Sequence, residues 1–237
     1  MRLAFFISIL LITCCSYTIA HRPAQAPHFT GSAAEASPDA QILEVFTDST
    51  HIGVKGQCKI EIVKYTIYED AYLLVKFYTR TGNSRWYLQD TYMYETTSLQ
   101  SLEPDISDYN DDGFNDITVI SATAARGANE VRRLFIYDRK YNCLISIVNA
   151  EDFPNMQYNP ELDCIDAFLV YGASTTVFAH IAGDSLKIFA QVANTADSVF
   201  VYVTGKKGKD KLIYKGPGAG PYIRHSNFRR LKINGEQ

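Results

Sequence analysis

The sequence has no hydrophobic run long enough to cross a bilayer: its greasiest stretch, Leu3 to Thr13, stops after eleven residues, where a spanning helix needs about 20. It has no Cys-x-x-Cys pair and no Cys/His cluster at zinc spacing, which excludes the common zinc and dithiol motifs. Among the five histidines, His51, His180 and His225 are dispersed without His-Glu-x-x-His spacing, and His180, between Ala179 and Ile181, reads as a structural residue. A Gly-x-Ser-x-Gly elbow is missing, and "GPGAGP" at 216–221 puts prolines where a phosphate cradle needs free amides. Paired acids for glycoside hydrolysis leave no linear signature, because their spacing is set in three dimensions. With no catalytic constellation legible, a binding protein rather than an enzyme is the expectation, with no nucleic acid among its partners.

The N-terminus carries a basic residue, Arg2, then the apolar run, then Cys14-Cys15, the order of a secretory signal over residues 1–20. Two processing routes fit. Leu11-Ile12-Thr13-Cys14 resembles a lipobox, with Leu three positions before a Cys that would be lipidated, although Thr13 departs from the usual Gly, Ala or Ser. Thr18-Ile19-Ala20 instead offers ordinary cleavage, leaving His21 first. The lipidation of Cys14 is favoured, because a Cys closing the apolar run is uncommon by chance and a tether follows it. That tether, residues 21–40, is rich in Ala, Pro and Ser; it lacks the apolar surface to offset ordering and should act as a spacer. The expectation is an exported, periplasmic or outer-membrane lipoprotein, monomeric, touching membrane through its lipid alone.

Residues 41–237 form the remaining domain. Segments such as "KIEIVKYT", "YLLVKFYT", "TVFAHIAG" and "SLKIFAQV" alternate apolar and polar residues, the period of half-buried strands. Turn residues separate them: Thr81-Gly82-Asn83-Ser84, Gly183-Asp184, and the stretch from Gly205 to Asp210. About twelve strands and no amphipathic helix predict an all-β domain: sandwich, barrel or propeller. Two segments, 151–161 and 216–222, carry Pro and Gly that should forbid regular pairing. The first holds Tyr158 between Pro154 and Pro160, a candidate partner-binding plug, because an aromatic held by prolines loses little entropy on binding. Export permits a disulfide among Cys58, Cys143 and Cys164; Cys143 with Cys164 is the better pair, buried thiols the alternative. Residues 205–237 carry nine Lys or Arg against two Asp or Glu, a balance of +7, and leave the rest of the exported part near −11. Such a basic end suits an anionic surface or simply a solvated rim.

One stretch stands apart. "DYNDDGFND", residues 108–116, places side-chain oxygens at positions one, three, five and nine: Asp108, Asn110, Asp112 and Asp116, with Gly113 at six. Carboxylates so close repel unless a cation sits among them. Calcium accepts six to eight oxygens in forgiving geometry, with the main-chain carbonyl of Phe114 as a further donor. Position twelve is Val119, within an apolar strand, so this is not an EF-hand, and magnesium's stricter octahedron suits it less. Asp111, between ligand positions, should face solvent.

The pattern Asp-x-Asn-x-Asp-Gly-x-x-Asp before an apolar strand resembles the calcium loop of FG-GAP and related β-propeller repeats. With "GANEVRRLFIYDRKYNCLISI", "MQYNPELDCIDAFLVYGAS" and "TVFAHIAGDSLKIFAQV", it resembles a family of exported bacterial proteins, many of them lipoproteins, over roughly residues 105–195. The resemblance implies an antiparallel β-propeller-like or related multi-hairpin architecture and one bound calcium ion. It further implies that the protein acts as a periplasmic immunity protein, inhibiting a lysozyme-like peptidoglycan hydrolase; the alternative is a glycan or cell-wall binding module using the sixteen Tyr as stacking platforms. Gly127 and Asn129 match the family pattern without a role readable from sequence.

Overall fold

The computed structural model describes residues 39–205, 208–218 and 220–233; Cys14, the signal and most of the tether lie outside them. Fourteen strands form three antiparallel sheets. The first holds β1 (Ala40–Asp48), β2 (Cys58–Ile67), β3 (Asp70–Thr79) and β4 (Tyr87–Thr96). The second holds β5 (Asp105–Ser107), β6 (Asp116–Ala124), β7 (Asn129–Asp138) and β8 (Cys143–Ser146). The third runs from β9 (Gln157–Asn159) through β10 (Cys164–Val170), β11 (Ser174–Ala182), β12 (Ser185–Asn194) and β13 (Ser198–Thr204) to β14 (Asp210–Pro217). Two 3-10 turns and a four-residue helix, α1 (Arg230–Ile233), are the helical elements of the described residues. Every strand pairs with its sequence neighbour within its sheet, the up-and-down connectivity of a propeller blade.

Alternation decides which side chains meet. Successive residues of a strand point to opposite faces, and in β7 Phe135 and Tyr137 enter one core while Leu134 and Ile136 enter another. The second sheet is therefore covered on both faces. Phe135, Tyr137, Ile117 and Val119 pack with Ile60, Ile62, Val75 and Phe77 of the first sheet. Leu134 and Ile136 pack with Ile165, Ala167, Val177 and Ala179 of the third. A third core, on the far side of the third sheet, joins Phe178, Val192 and Val201 to Phe228 from the segment after β14. Each such fully buried aliphatic or aromatic side chain contributes about 1.5–3 kcal/mol.

Polar side chains sew the sheets together where strand ladders stop. Asp90 accepts the Leu144 amide (2.9 Å) and the Tyr92 hydroxyl donates to the Leu144 carbonyl (2.6 Å), so both backbone groups of one residue in the second sheet are satisfied by the first. Asn149 does the same for Leu186 (2.8 and 3.0 Å), and Asn129 for Val170 (2.9 Å to each group). Asn129 thereby gains a role: it holds the second sheet to the third. The 3-10 turn before it ends at Gly127, with φ +90°.

Three expectations need correction. No disulfide joins Cys143 to Cys164: Cys143 lies in β8 of the second sheet and Cys164 in β10 of the third, and the three cysteines remain thiols. Burial, with Asp166 and Asp163 adding to it, pushes the Cys164 pKa up to about 12. Segment 151–161 is not free of regular pairing, because Gln157, Tyr158 and Asn159 pair with Asp166, Ile165 and Cys164. Likewise Gly216 and Pro217 close β14, opposite Val199 and Ser198; a proline is tolerated there because β14 is an edge strand. Fourteen strands stand among the described residues where about twelve are expected; β5 and β9, three residues each, are too short to show alternation. β1 begins at Ala40, one residue inside the expected tether.

Gly53 tests this packing. It has φ +53°, and a Cβ there would lie 3.0 Å from the Cys58 Sγ and the Tyr137 ring, whereas Gly56, at φ +71°, has open space around it. Gly56→Ala should cost about 1–2 kcal/mol from backbone strain alone. Gly53→Ala should cost a further ~1–3 kcal/mol from overpacking, read as the larger fall in the urea midpoint.

Candidate functional site

The acidic loop connects β5 to β6, and its conformation follows from its own side chains. The Asp108 carboxylate accepts the amides of Asn110 (3.3 Å) and Asp112 (3.2 Å) on one oxygen and of Gly113 (2.8 Å) on the other. The chain must curl to bring three amides back to one residue. Gly113, at φ +84°, and Asp111, at φ +56°, supply the left-handed turns. Asp112 accepts the Phe114 amide (2.9 Å) and the Asn110 side-chain amide (3.1 Å). Asp111 is exposed, as expected. Phe114 pins the loop by its ring, which packs against the first core and lies 5.8 Å from the Tyr137 ring.

Asp116, the first residue of β6, is completely buried. One oxygen accepts the Tyr109 amide of the loop (2.9 Å) and the other the Tyr137 amide of β7 (2.8 Å). Burial is the largest influence on its pKa; the two amides oppose it, Asp112 and Asp108 add to it, and the result stands at about 7. Asp108 and Asp112 thus lie near enough to the end of β6 to oppose ionisation of Asp116, which is cut off from water.

A carboxylate offers about four lone-pair sites. The hydrogen bonds above occupy three on Asp108, two on Asp112 and two on Asp116, so each retains acceptor capacity. The donor set is all oxygen, the chemistry that hard cations such as calcium take. Among the described residues, no group of three His, Cys, Asp or Glu is already gathered closely enough to hold an ion: the oxygens face their own amides first. The residues fit the ion chemically, with local closure of the loop still required.

The loop's surroundings were invisible in the sequence. Asn115 bridges to the turn after β1: the Gly53 amide donates to its carbonyl (3.0 Å) and its side-chain amide donates to the His51 carbonyl (3.0 Å). On another side, the Tyr158 hydroxyl of β9 donates to Asp163 (3.0 Å). Loss of water and the carboxylates of Asp163 and Asp111 push its pKa up to about 12. One nine-residue stretch therefore contacts all three sheets. Tyr158 is half-buried on a paired edge strand rather than on a protruding plug.

Other candidates disperse. His51 is exposed and bonded to Asp48 (2.8 Å); His180 stacks on Phe189 (4.2 Å); His225 bonds Asn194 (2.9 Å). The exposed Tyr68, Tyr87, Tyr141, Tyr171 and Tyr222 belong to different strands and turns, and the Trp86 ring is capped by Arg80 at 4.2 Å. Sequence reasoning missed a buried latch. Asp166, 1% exposed, is ion-paired with Arg224 and accepts the side-chain amide of Asn159 (2.8 Å), while Asn194 donates to the Ile223 carbonyl (2.8 Å). Together they strap residues 223–228 over the third sheet. Part of the basic end is thus spent on internal ion pairs: Arg224 on Asp166 and Arg230 on Glu161 (2.7 Å).

No family model and no curated protein matches the sequence. Among solved structures, the chain is similar to the structure of a Xanthomonas type IV secretion system related protein, at 9% identity and TM-score 0.46, over 72% of this chain and 93% of that one.

The raised pKa of Asp116 has a sign that can be measured. A folded-state value of about 7, above the ordinary 3.8, makes its stabilising contribution full below about pH 4 and lost as pH rises through 7. In chelator, the urea midpoint should fall across that window. Asp116→Asn should flatten the slope while lowering stability throughout by about 1–3 kcal/mol, because its amide group opposes one of the two N–H donors.

Proposed function

We propose that this chain is an exported, envelope-anchored binding protein stabilised by one calcium ion in the 108–116 loop, and that its partner is a lysozyme-like peptidoglycan hydrolase which it inhibits. The observation that carries the calcium reading is the position of the loop. It joins β5 to β6, ties to the first sheet through Asn115 and to β7 through Asp116, and places Asp111 beside Tyr158 of the third. Asp108, Asn110, Asp112, Asp116 and the Phe114 carbonyl are the ligands assigned. The ion would neutralise the buried carboxylate and its two neighbours, drawing their oxygens together from a loop that is already curled.

The inhibitory role rests on the family resemblance of residues 105–195 and on the exposed rim around that loop. Asp111, Asp112 and Gly113 are exposed and the half-buried Tyr158 stands next to them, so a stiffened loop would present a fixed acidic and aromatic edge to a cationic enzyme. Anchoring at Cys14, with residues 21–40 as spacer, would hold this edge away from the membrane. The role is that of an inhibitor, without turnover of its own.

Two measurements test this. Calcium at a hundredfold excess over its dissociation constant should stabilise the domain by about 2.7 kcal/mol, seen as a rise in Tm that chelator reverses; Asp108→Ala and Asp112→Ala should abolish most of that rise. A Tm indifferent to both calcium and chelator would sink the metal assignment. In muramidase assays with the pure domain, inhibition should weaken in chelator and in the Asp112→Ala variant. Undiminished hydrolysis across a panel of muramidases would remove the inhibitory role, and sedimentation with peptidoglycan alone would then identify a wall-binding module.

A further inference from the structure

The third sheet carries a cavity of about 390 Å³ far from the acidic loop in sequence, lined by Val203, Gly205, Lys211, Ile213, Phe228 and Arg229. This volume lies within the ~300–1,000 Å³ range of small-molecule sites. Its origin is a register defect. Val201 pairs with Tyr214 and Tyr202 with Leu212, leaving Ile213 as the extra residue of a bulge, and bulges bend an edge strand away from its neighbours. Phe228 closes the other side, held there by the Asp166–Arg224 latch a few residues earlier and by the Asn194 bond to the Ile223 carbonyl. The floor is hydrocarbon: Val203, Ile213 and Phe228 belong to the third core.

Two cations stand on this apolar floor. Lys211 lies directly opposite Val203 in the ladder, and Arg229 stacks 5.5 Å over the Phe228 ring. Among the described residues neither makes an ion pair. Asp210, next to Lys211, commits its carboxylate to Gln191 (3.0 Å) and Thr204 (2.7 Å). An uncharged apolar ligand would gain nothing from the two exposed cations, and an inorganic anion would gain nothing from the hydrocarbon. We infer that this cavity binds an amphiphile with one anionic head, carboxylate or phosphate, and a short apolar tail. The tail lies against Phe228, Ile213 and Val203, and the head is taken by Lys211 and Arg229. This site is independent of calcium and of the hydrolase reading.

The test titrates the pure domain, calorimetrically and below micelle-forming concentrations, with decanoate, decyl phosphate and the uncharged control decanol, and floats it with phosphatidylglycerol vesicles. Saturable one-to-one binding of the anionic probes is expected, weakened roughly tenfold or more by Lys211→Gln with Arg229→Gln and lost in Val203→Trp, which fills the cavity. The two charge variants sit on exposed positions and keep the test valid if Val203→Trp fails to fold. Binding of the soluble probes alone identifies a free amphiphile as the ligand, and flotation sensitive to the same variants a bilayer lipid. Absence of saturable binding, equal affinity for decanol, or affinity unchanged in the charge variants each overturns the proposal.

Discussion

The arrangement turns on a single buried carboxylate. Asp116 has no contact with water, and its two oxygens are shared between the amide of Tyr109 in the loop and the amide of Tyr137 in β7. A charge-assisted bond to a backbone amide is stronger than a neutral one, but an anion removed from water is expensive to keep. Asp108 and Asp112 make it more so. The same group that fixes the loop to the second sheet therefore concentrates negative charge at a point cut off from water.

The remaining architecture explains why such a joint is useful. Three sheets built as independent meanders bury their faces against one another, but side-to-side association must be made by side chains. Asp90 and Tyr92 on Leu144, Asn149 on Leu186 and Asn129 on Val170 all do this by satisfying both the amide and the carbonyl of one residue. The acidic loop makes connections of a different kind: Asn115 donates to the His51 carbonyl in the turn after β1, Asp116 accepts the Tyr137 amide of β7, and Asp111 lies near enough to Tyr158 to raise the pKa of its hydroxyl. On the far side of the third sheet the strap at 223–228 covers an otherwise open apolar face, using a buried ion pair and one aromatic.

Tyr158 shows how context changes a motif. Prolines at 154 and 160 suggested an exposed aromatic, yet Pro154 is buried and its carbonyl accepts the Phe168 amide (3.1 Å). The segment is drawn onto the sheet, and Tyr158 becomes a neighbour of the acidic loop.

The strands could be read from sequence because their information is local: "KIEIVKYT" and "SLKIFAQV" alternate, β-branched residues stiffen them, and Gly183-Asp184 turns the chain between β11 and β12. The tight turn of the acidic loop was equally legible, since Asp108, Asn110, Asp112 and Gly113 lie within six residues, where a short acceptor side chain and a glycine at positive φ curl the chain locally. What lies far apart in the chain was not. That Asp116 meets Tyr137, that Asp166 meets Arg224, that Cys143 and Cys164 occupy different sheets and that Lys211 and Arg229 line one cavity are decisions of sheet packing. Period-two alternation fixes which side of a strand is apolar, but it carries no record of which other sheet that side will face.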